Sequence, residues 1–386
     1  MATRTSIATD ARVSRPSPAP EPPGSHPAVL AVASALLLFC AFPPAGWGWL
    51  AWVAPTPLFL LVRSDRSRRS VYLGAWLGGL VFWLLALAWI TRSDEGAWLA
   101  WIVMATALSA WWPAFLLLAR LAVRRLRLPL MVAAPVAWVT LEFVRAYAVT
   151  GFPWYYLAHT QYRVLPLIQI ADLTGAWGLS FLMAMAAACW ADLRTFPVLE
   201  PSPRGPRPAR AQAVRLGVLA VAVGATVAYG VGRVATSRPR PGPRVALLQS
   251  NFRQEYKMSS DAEQIVGVYR GLIERALRDG TPPDLVVWPE TSYPYGYAER
   301  DAALDDAGFE RQVRSISREA KVEIWRANLR NVPQILHDWA DQMGVPMLVG
   351  SASYHFRVDG LTRYNSALLF EPGTAAVQSY HKLHLV

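Results

Sequence analysis

Apolar residues gather in long runs over the first two thirds of the chain and in short runs over the last third. The long runs read as helices that cross a bilayer, which takes about 20 mostly apolar residues, with a usual range of about 17–25. They fall at 28–43, 47–63, 71–91, 97–119, 129–148, 170–192 and 213–232, seven spans in all. Pro43-Pro44 and Pro55-Thr56-Pro57 are expected to break or kink the first pair, which neighbouring protein can tolerate by satisfying the freed backbone. Trp47, Trp49, Trp98, Trp111 and Trp154 sit near span ends, where an interfacial aromatic belt belongs. Residues 1–26, rich in Pro, Ser and Ala, read as a disordered cytoplasmic tail, 27–233 as a membrane domain and 234–243 as an Arg/Pro-rich linker.

From residue 244 the pattern shortens. Residues 244–250, 283–290 and 345–351 read as buried strands, and 364–370 with 376–385 as a hairpin turning at Pro372-Gly373-Thr374. Ile265, Tyr269, Leu272 and Ala276 recur at helical spacing, as do Val332, Leu336, Trp339 and Met343 in a helix that Gly344 closes. Strands alternating with helices and ending in a hairpin predict an α/β or mixed sheet over 244–386. The highly charged stretch Asp301–Arg330 fits no such pattern and reads as a variable lid or an insertion.

Composition supports two solvent classes. Charged residues make up 17% of the 386, against about 25% in soluble proteins. The net charge of +11 would ordinarily point to nucleic acid. Here the arginines cluster between apolar runs, which is how membrane proteins set orientation, and anionic lipid headgroups are the expected neighbours instead. The clusters occupy every second loop: the tail, Arg63–Arg69, Arg120–Arg127 and Arg194–Arg215. That alternation predicts a cytoplasmic N-terminus and an exported last third. Arg233, Arg238, Arg240 and Arg244 oppose it, but long exported domains cross largely regardless of charge.

Few residues carry candidate chemistry. Glu142 and Arg145 interrupt the fifth span near its outer end. Ionisable groups inside a span are functional candidates by default, and an i, i+3 ion pair at the headgroups is an equal alternative. Thr150-Gly151-Phe152-Pro153-Trp154 then reads as an interfacial turn. Glu290 follows an apolar strand directly, at the sheet edge where open α/β sheets place ligands; a solvated strand-ending acid is the plainer reading. Lys382 lies late in the last strand, facing a cleft or guarding an edge. His381 and His384, at i, i+3 without a third ligand, are a weak metal signal. Cys40 and Cys189 lie in apolar runs, where cysteine behaves as a small hydrophobe.

Taken together, the Glu142–Arg145 pair with Thr-Gly-Phe-Pro-Trp at 150–154, Val245–Asn251, Val287-Trp288-Pro289-Glu290, Tyr364-Asn365-Ser366-Ala367 and Tyr380–Val386 resemble the apolipoprotein N-acyltransferases. The Trp-Pro-Glu and His-Lys-Leu segments also occur across the nitrilase superfamily. The resemblance implies a polytopic helical membrane domain followed by a nitrilase-like α-β-β-α sandwich, here incomplete at its C-terminus. It implies a Glu–Lys–Cys triad with Glu290 as general base and Lys382 at the oxyanion. It implies that Glu142, Arg145, Gly151, Phe152, Pro153 and Trp154 border substrate access. The implied reaction moves an acyl chain from a phospholipid, through a thioester, to the N-terminal amine of diacylglyceryl-cysteine on an apolipoprotein. It implies no cofactor, no metal and no nucleic acid, and a multi-pass protein of the bacterial inner membrane with its catalytic domain on the periplasmic side. The family's nucleophile and its eighth span lie beyond the His-Lys-Leu segment, so this chain is expected to lack both. A membrane-tethered nitrilase-type amidase would share Glu290 and Lys382. A non-catalytic lipid-binding relative would need neither. A transporter is disfavoured, because few ionisable residues fall mid-span.

Overall fold

The computed structural model describes residues 26–93, 96–149, 151–196, 198–200, 207–252, 262–278, 280–317 and 319–383. The expected tail, Thr150, His384 and the end of the last strand lie wholly or almost wholly outside them. The chain forms two compact units, Met1–Arg238 and Pro239–Val386.

The first unit is helical: α1 (Pro27–Ala41), α2 (Thr56–Leu60), α3 (Arg68–Ala86), α4 (Ala97–Ser109), α5 (Trp111–Arg124), α6 (Leu130–Tyr147), α7 (Leu165–Ile168), α8 (Ala171–Thr195) and α9 (Arg210–Thr236). Among the described residues, five stretches are long and apolar enough to span a bilayer: Arg68–Arg92, Ala97–Arg124, Leu130–Tyr147, Ala171–Thr195 and Arg210–Thr236. The expected first two spans are shorter than the sequence pattern implies. α1 has 15 residues, about 22 Å at 1.5 Å per residue, against a hydrocarbon core of about 30 Å. The second resolves into a 3₁₀ segment, Gly48–Trp52, and α2, because Pro55, which lacks a backbone donor, falls between them, while Pro57 sits in the first turn of α2. α1 packs on α3 at Gly74 and Gly78, four residues apart. A methyl group at Gly78 would sit 2.7 Å from Ala31. Small residues let helix backbones approach in this way where lipid offers no hydrophobic drive. Aromatic rings fill the interior, with Phe59 stacked on Phe115 and Trp83 edge-on to Phe82 and Tyr155. α9 buries only Gln212 and Gly230 and exposes Val214, Val218, Val221 and Val231, a surface suited to lipid contact.

The second unit is a mixed six-stranded sheet with helices α10 (Ala262–Arg278), α11 (Asp306–Ile316) and α12 (Val322–Met343). Its strands are β1 (Val245–Leu247), β2 (Leu285–Val287), β3 (Tyr293–Arg300), β4 (Met347–Arg357), β5 (Gly360–Phe370) and β6 (Val377–His381). The order is β1-β2-β4-β5-β6, with β3 pairing the far half of β4. β1, β2 and β4 run parallel, and β4-β5-β6 is an antiparallel meander. One sheet face packs against α10 and α12 through Val286, Met347, Val349, Leu368 and Phe370 with Leu336 and Trp339. Gly344 closes α12 in the left-handed conformation the sequence predicts.

Two features depart from expectation. β3 is a strand the sequence pattern does not reveal. The charged stretch 301–330 carries a pattern the sequence reading missed: α11 and the start of α12 bury Phe309, Val313 and Val322 on Phe356 of β4. Their charged residues are the solvated faces of amphipathic helices.

Candidate functional site

The parallel half of the sheet positions Glu290. β2 ends at Val287, and Trp288 is locked in place by its N–H to the Leu348 carbonyl, 2.8 Å, and by stacking on Tyr269 and Trp339. Pro289 stops the strand, so Glu290 emerges at its C-terminal edge. Thr291 adopts φ 50°, an uncommon conformation for a β-branched residue, and persists because its neighbours hold it. Its hydroxyl donates to Asn365 Oδ1 at 3.2 Å. The Ser292 N–H donates to the Gly350 carbonyl at 3.0 Å and its hydroxyl to the Pro289 carbonyl at 2.6 Å. Gly350 is required beneath this loop, since a Cβ there would lie 2.1 Å from the Pro289 carbonyl oxygen.

The antiparallel meander brings Lys382 to the same place. Its backbone N–H donates to the Asn365 carbonyl at 2.8 Å, and its Nζ lies 3.0 Å from Glu290 Oε1. Asn365 Nδ2 donates to that same oxygen. Two residues 92 positions apart thus meet at one carboxylate oxygen. Asn365 orders the cluster: its amide holds Glu290 and Thr291 while its carbonyl holds Lys382. Sequence reasoning quotes Asn365 only as part of a resemblance. Its signal is a half-buried amide in the middle of a strand, between Tyr364 and Ser366. The Glu290 and Lys382 side chains are 62% and 38% exposed. An ion pair this open contributes only about 0–1 kcal/mol, so stability does not account for the arrangement.

Beside Lys382, His381 stacks on Tyr364 at 4.1 Å and its Nδ1 lies 2.8 Å from the Ser366 hydroxyl. His355 stands edge-on to both rings, with Nδ1 3.6 Å from Glu299. Burial lowers the His355 pKa; Glu299 opposes this, and His381 and Arg357 reinforce it. The unfolded chain therefore takes up this proton more readily than the folded one. The stability that His355 contributes is full above about pH 6.5, the ordinary histidine value, and falls as pH drops from there towards the lower folded value. With six histidines in the chain, isotope-labelled imidazole signals should include one that titrates below the ordinary histidine value and disappears in His355→Gln. Titration of His355 at or above the ordinary value would contradict this.

The other expected site residues lie in the first unit. Glu142 and Arg145 are buried, 5% and 7% exposed, and make no direct salt bridge with each other. Glu142 Oε1 accepts from the Trp138 indole at 2.9 Å and from the Leu157 N–H at 3.0 Å. Arg145 donates to the Trp154 carbonyl at 2.9 Å and lies over the rings of Trp83 and Tyr156. The Phe152 N–H returns to the Arg145 carbonyl at 2.8 Å. The pair therefore ties the segment from Gly151 to Leu157, including Pro153, onto the end of α6. Both side chains line an aromatic cavity of about 50 Å³. Trp154 is 47% exposed and packs on Trp89 and Phe152.

The sequence also overlooks a buried charge cluster in α8. Asp192, fully buried, faces Arg63 at 3.3 Å and Arg215 at 3.1 Å. Both guanidiniums lie against the Phe196 ring.

Comparison with known proteins agrees with this two-part structure. Residues 34–189 match the apolipoprotein N-acyltransferase N-terminal domain, and 244–386 match the carbon-nitrogen hydrolase family. An apolipoprotein N-acyltransferase of Geobacter metallireducens is 32% identical over 93% of this chain and 63% of its own length. One of Rhodopirellula baltica is 30% identical over 68% of this chain and 48% of its own. A putative apolipoprotein N-acyltransferase of Bordetella parapertussis is 30% identical over 95% of this chain and 67% of its own. The chain thus spans about half to two thirds of the relatives it matches. With both parts matched in order, and with helices fit to cross a membrane more than once, this chain belongs to the apolipoprotein N-acyltransferase family.

Proposed function

We propose that this chain carries most of the machinery for transferring a fatty acyl group from a membrane phospholipid to the N-terminal amine of diacylglyceryl-cysteine on an apolipoprotein. The observation that carries the reading is the Glu290–Lys382 contact organised by Asn365. Acyl transfer from an ester needs a nucleophile, a base within hydrogen-bond reach and positive charge where the oxyanion develops. Glu290 takes the proton of a cysteine thiol, and the thiolate attacks the ester carbonyl. Lys382 faces the resulting oxyanion. The lysophospholipid leaves with the proton from Glu290. The acceptor amine then attacks the thioester, passes a proton to Glu290 and expels the thiolate, which takes that proton back as the thiol. Both substrates are membrane-anchored, which gives a purpose to fusing this unit to spans. We take 27–233 as the membrane domain and 244–386 as a partial catalytic domain on the periplasmic face of the inner membrane. The segment Gly151–Trp154, pinned by Glu142 and Arg145, borders lipid access.

We take the nucleophile to be a cysteine other than Cys40 and Cys189, the two that these 386 residues contain. Cys40 and Cys189 belong to α1 and α8 of the helical unit, not to the unit that holds Glu290. Given phospholipid and a diacylglyceryl-cysteine peptide, a chain carried on to the full length of its relatives should yield triacylated peptide by mass spectrometry. The 386-residue chain alone should yield none. Turnover by the short chain that is lost on Cys40→Ala would overturn the assignment of the nucleophile. Hydrolysis of a soluble amide in place of transfer by the long chain would overturn the function.

A further inference from the structure

The transfer chemistry leaves a groove on the outer surface of the helical unit unused. It runs between the start of α3 and the length of α5 and holds about 610 Å³. Its wall is apolar along one stripe of α5, Pro113, Ala114, Leu117 and Leu121, and its end is basic, with Arg68, Arg120, Arg124 and Arg125. Arg120 is 8% exposed. It bonds the carbonyls of Leu61 and Ser64 and lies over the Tyr72 ring, fixing one guanidinium in the floor. Arg124 also reaches Ser64 and pairs with Asp65. The side chains of Arg68 and Arg125, both exposed, hydrogen-bond and ion-pair with no described residue. Four arginines thus surround the groove's end, opposed by the single carboxylate of Asp65.

We propose that this groove binds one anionic phospholipid, with an acyl chain along α5 and the phosphate among Arg68, Arg120 and Arg125. The geometry favours a lipid over a free phosphate. From Pro113 to Arg124 the stripe runs about 16 Å at 1.5 Å per residue, close to half of a hydrocarbon core of about 30 Å. Apolar wall and cationic end therefore succeed one another as tail and headgroup do in one leaflet. The excess of positive charge selects a net-negative headgroup over a zwitterionic one. The basic end of the groove lies at the Arg68 end of α3 and the Arg124 end of α5, whereas Glu142 and Arg145, in the last turns of α6, lie with Trp154 towards the opposite ends of α3 and α5. The phosphate end is therefore distinct from the segment assigned to substrate access, while Ala114 at the apolar end also lines a second pocket with Arg145, Gly151 and Phe152.

Native mass spectrometry of the full chain in detergent tests this, with phosphatidylglycerol and phosphatidylcholine of matched chains as probes. The wild type should retain one phosphatidylglycerol that phosphatidylcholine does not displace. Arg68→Gln with Arg125→Gln should weaken retention roughly 25-fold, about 5-fold for each charge removed near the headgroup level. Arg66→Gln with Arg69→Gln removes the same charge from the loop before α3 and from its first turn, at positions that do not line the groove, and should change retention less than about 2-fold. Equal loss in both double variants would reduce the effect to general surface charge and overturn the site. Equal retention of the two lipids would do the same. Displacement by millimolar inorganic phosphate would identify a free-anion site instead of a lipid groove.

Discussion

Glu290→Gln, in a chain carried on to the length of its relatives, should lower acyl transfer by about 10²- to 10⁴-fold, the range that a positioned general base supplies. The carboxamide matches the carboxylate in shape, and its oxygen can still accept from Asn365 and Lys382. It cannot take a thiol proton. The substitution is structurally mild because Glu290 is 62% exposed and its ion pair contributes about 0–1 kcal/mol. Thermal stability should therefore stay close to wild type while the acyl-enzyme mass fails to appear. That split separates a base from a structural anchor. A stable variant that still forms the thioester at the wild-type rate would remove Glu290 from the chemistry.

Much of the fold was legible because its elements bury one face in a regular period. The runs at 71–91, 129–148 and 213–232 correspond to α3, α6 and α9, and the helix closed by Gly344 ends where the left-handed residue requires. The strand pattern failed where neighbours outside the segment decide the structure. Tyr293–Arg300 contains Pro294, Gly296 and the charged pair Glu299-Arg300, which argue against a strand. It becomes one by adding to the far half of β4, across an irregularity between Tyr293 and Tyr297. β4 itself runs on from Ser351 to Arg357, because the two-residue turn Val358-Asp359 leads it into β5, where Gly360 pairs with Arg357. The charged stretch 301–330 hid Phe309 and Val313 among so many ionisable side chains that its helical stripe was obscured.

The site was half legible. Glu290 and Lys382 are chemically conspicuous, but nothing local says that residues 92 apart share a hydrogen bond. That follows from strand order, which places β2 and β5 on either side of β4. Asn365 was harder to see, because its role depends on three partners, two from the loop after β2 and one at the end of β6. Glu142 and Arg145 looked like an i, i+3 pair. The structure separates them, sending Glu142 to Leu157 and Arg145 to Trp154. Each then satisfies backbone of the segment that follows α6, where a sequence offers no hint of the direction a side chain takes.

The Asp192 cluster follows from the same physics and leads to the largest expected effect on stability. Asp192 is the last carboxylate of α8, fully buried, with Arg63 and Arg215 on its two oxygens. Arg63 follows α2 and Arg215 lies in the first turns of α9, so one acid joins three segments. Gln212 adds a bond to the Asp192 carbonyl at 3.2 Å and accepts from Arg215 at 2.9 Å. Removing one partner of a buried ion pair costs about 3–5 kcal/mol, because the remaining charge is left without compensation. The two arginine side chains are 29% and 25% exposed and recover some hydration, which places Asp192→Ala near the lower end, about 3 kcal/mol. Asp192→Ala should therefore aggregate at a clearly lower temperature in detergent. Adding Arg63→Gln and Arg215→Gln should recover much of that loss, since the stranded charges are gone. A double-mutant cycle with no coupling between Asp192 and the two arginines would show that the loss came from packing alone.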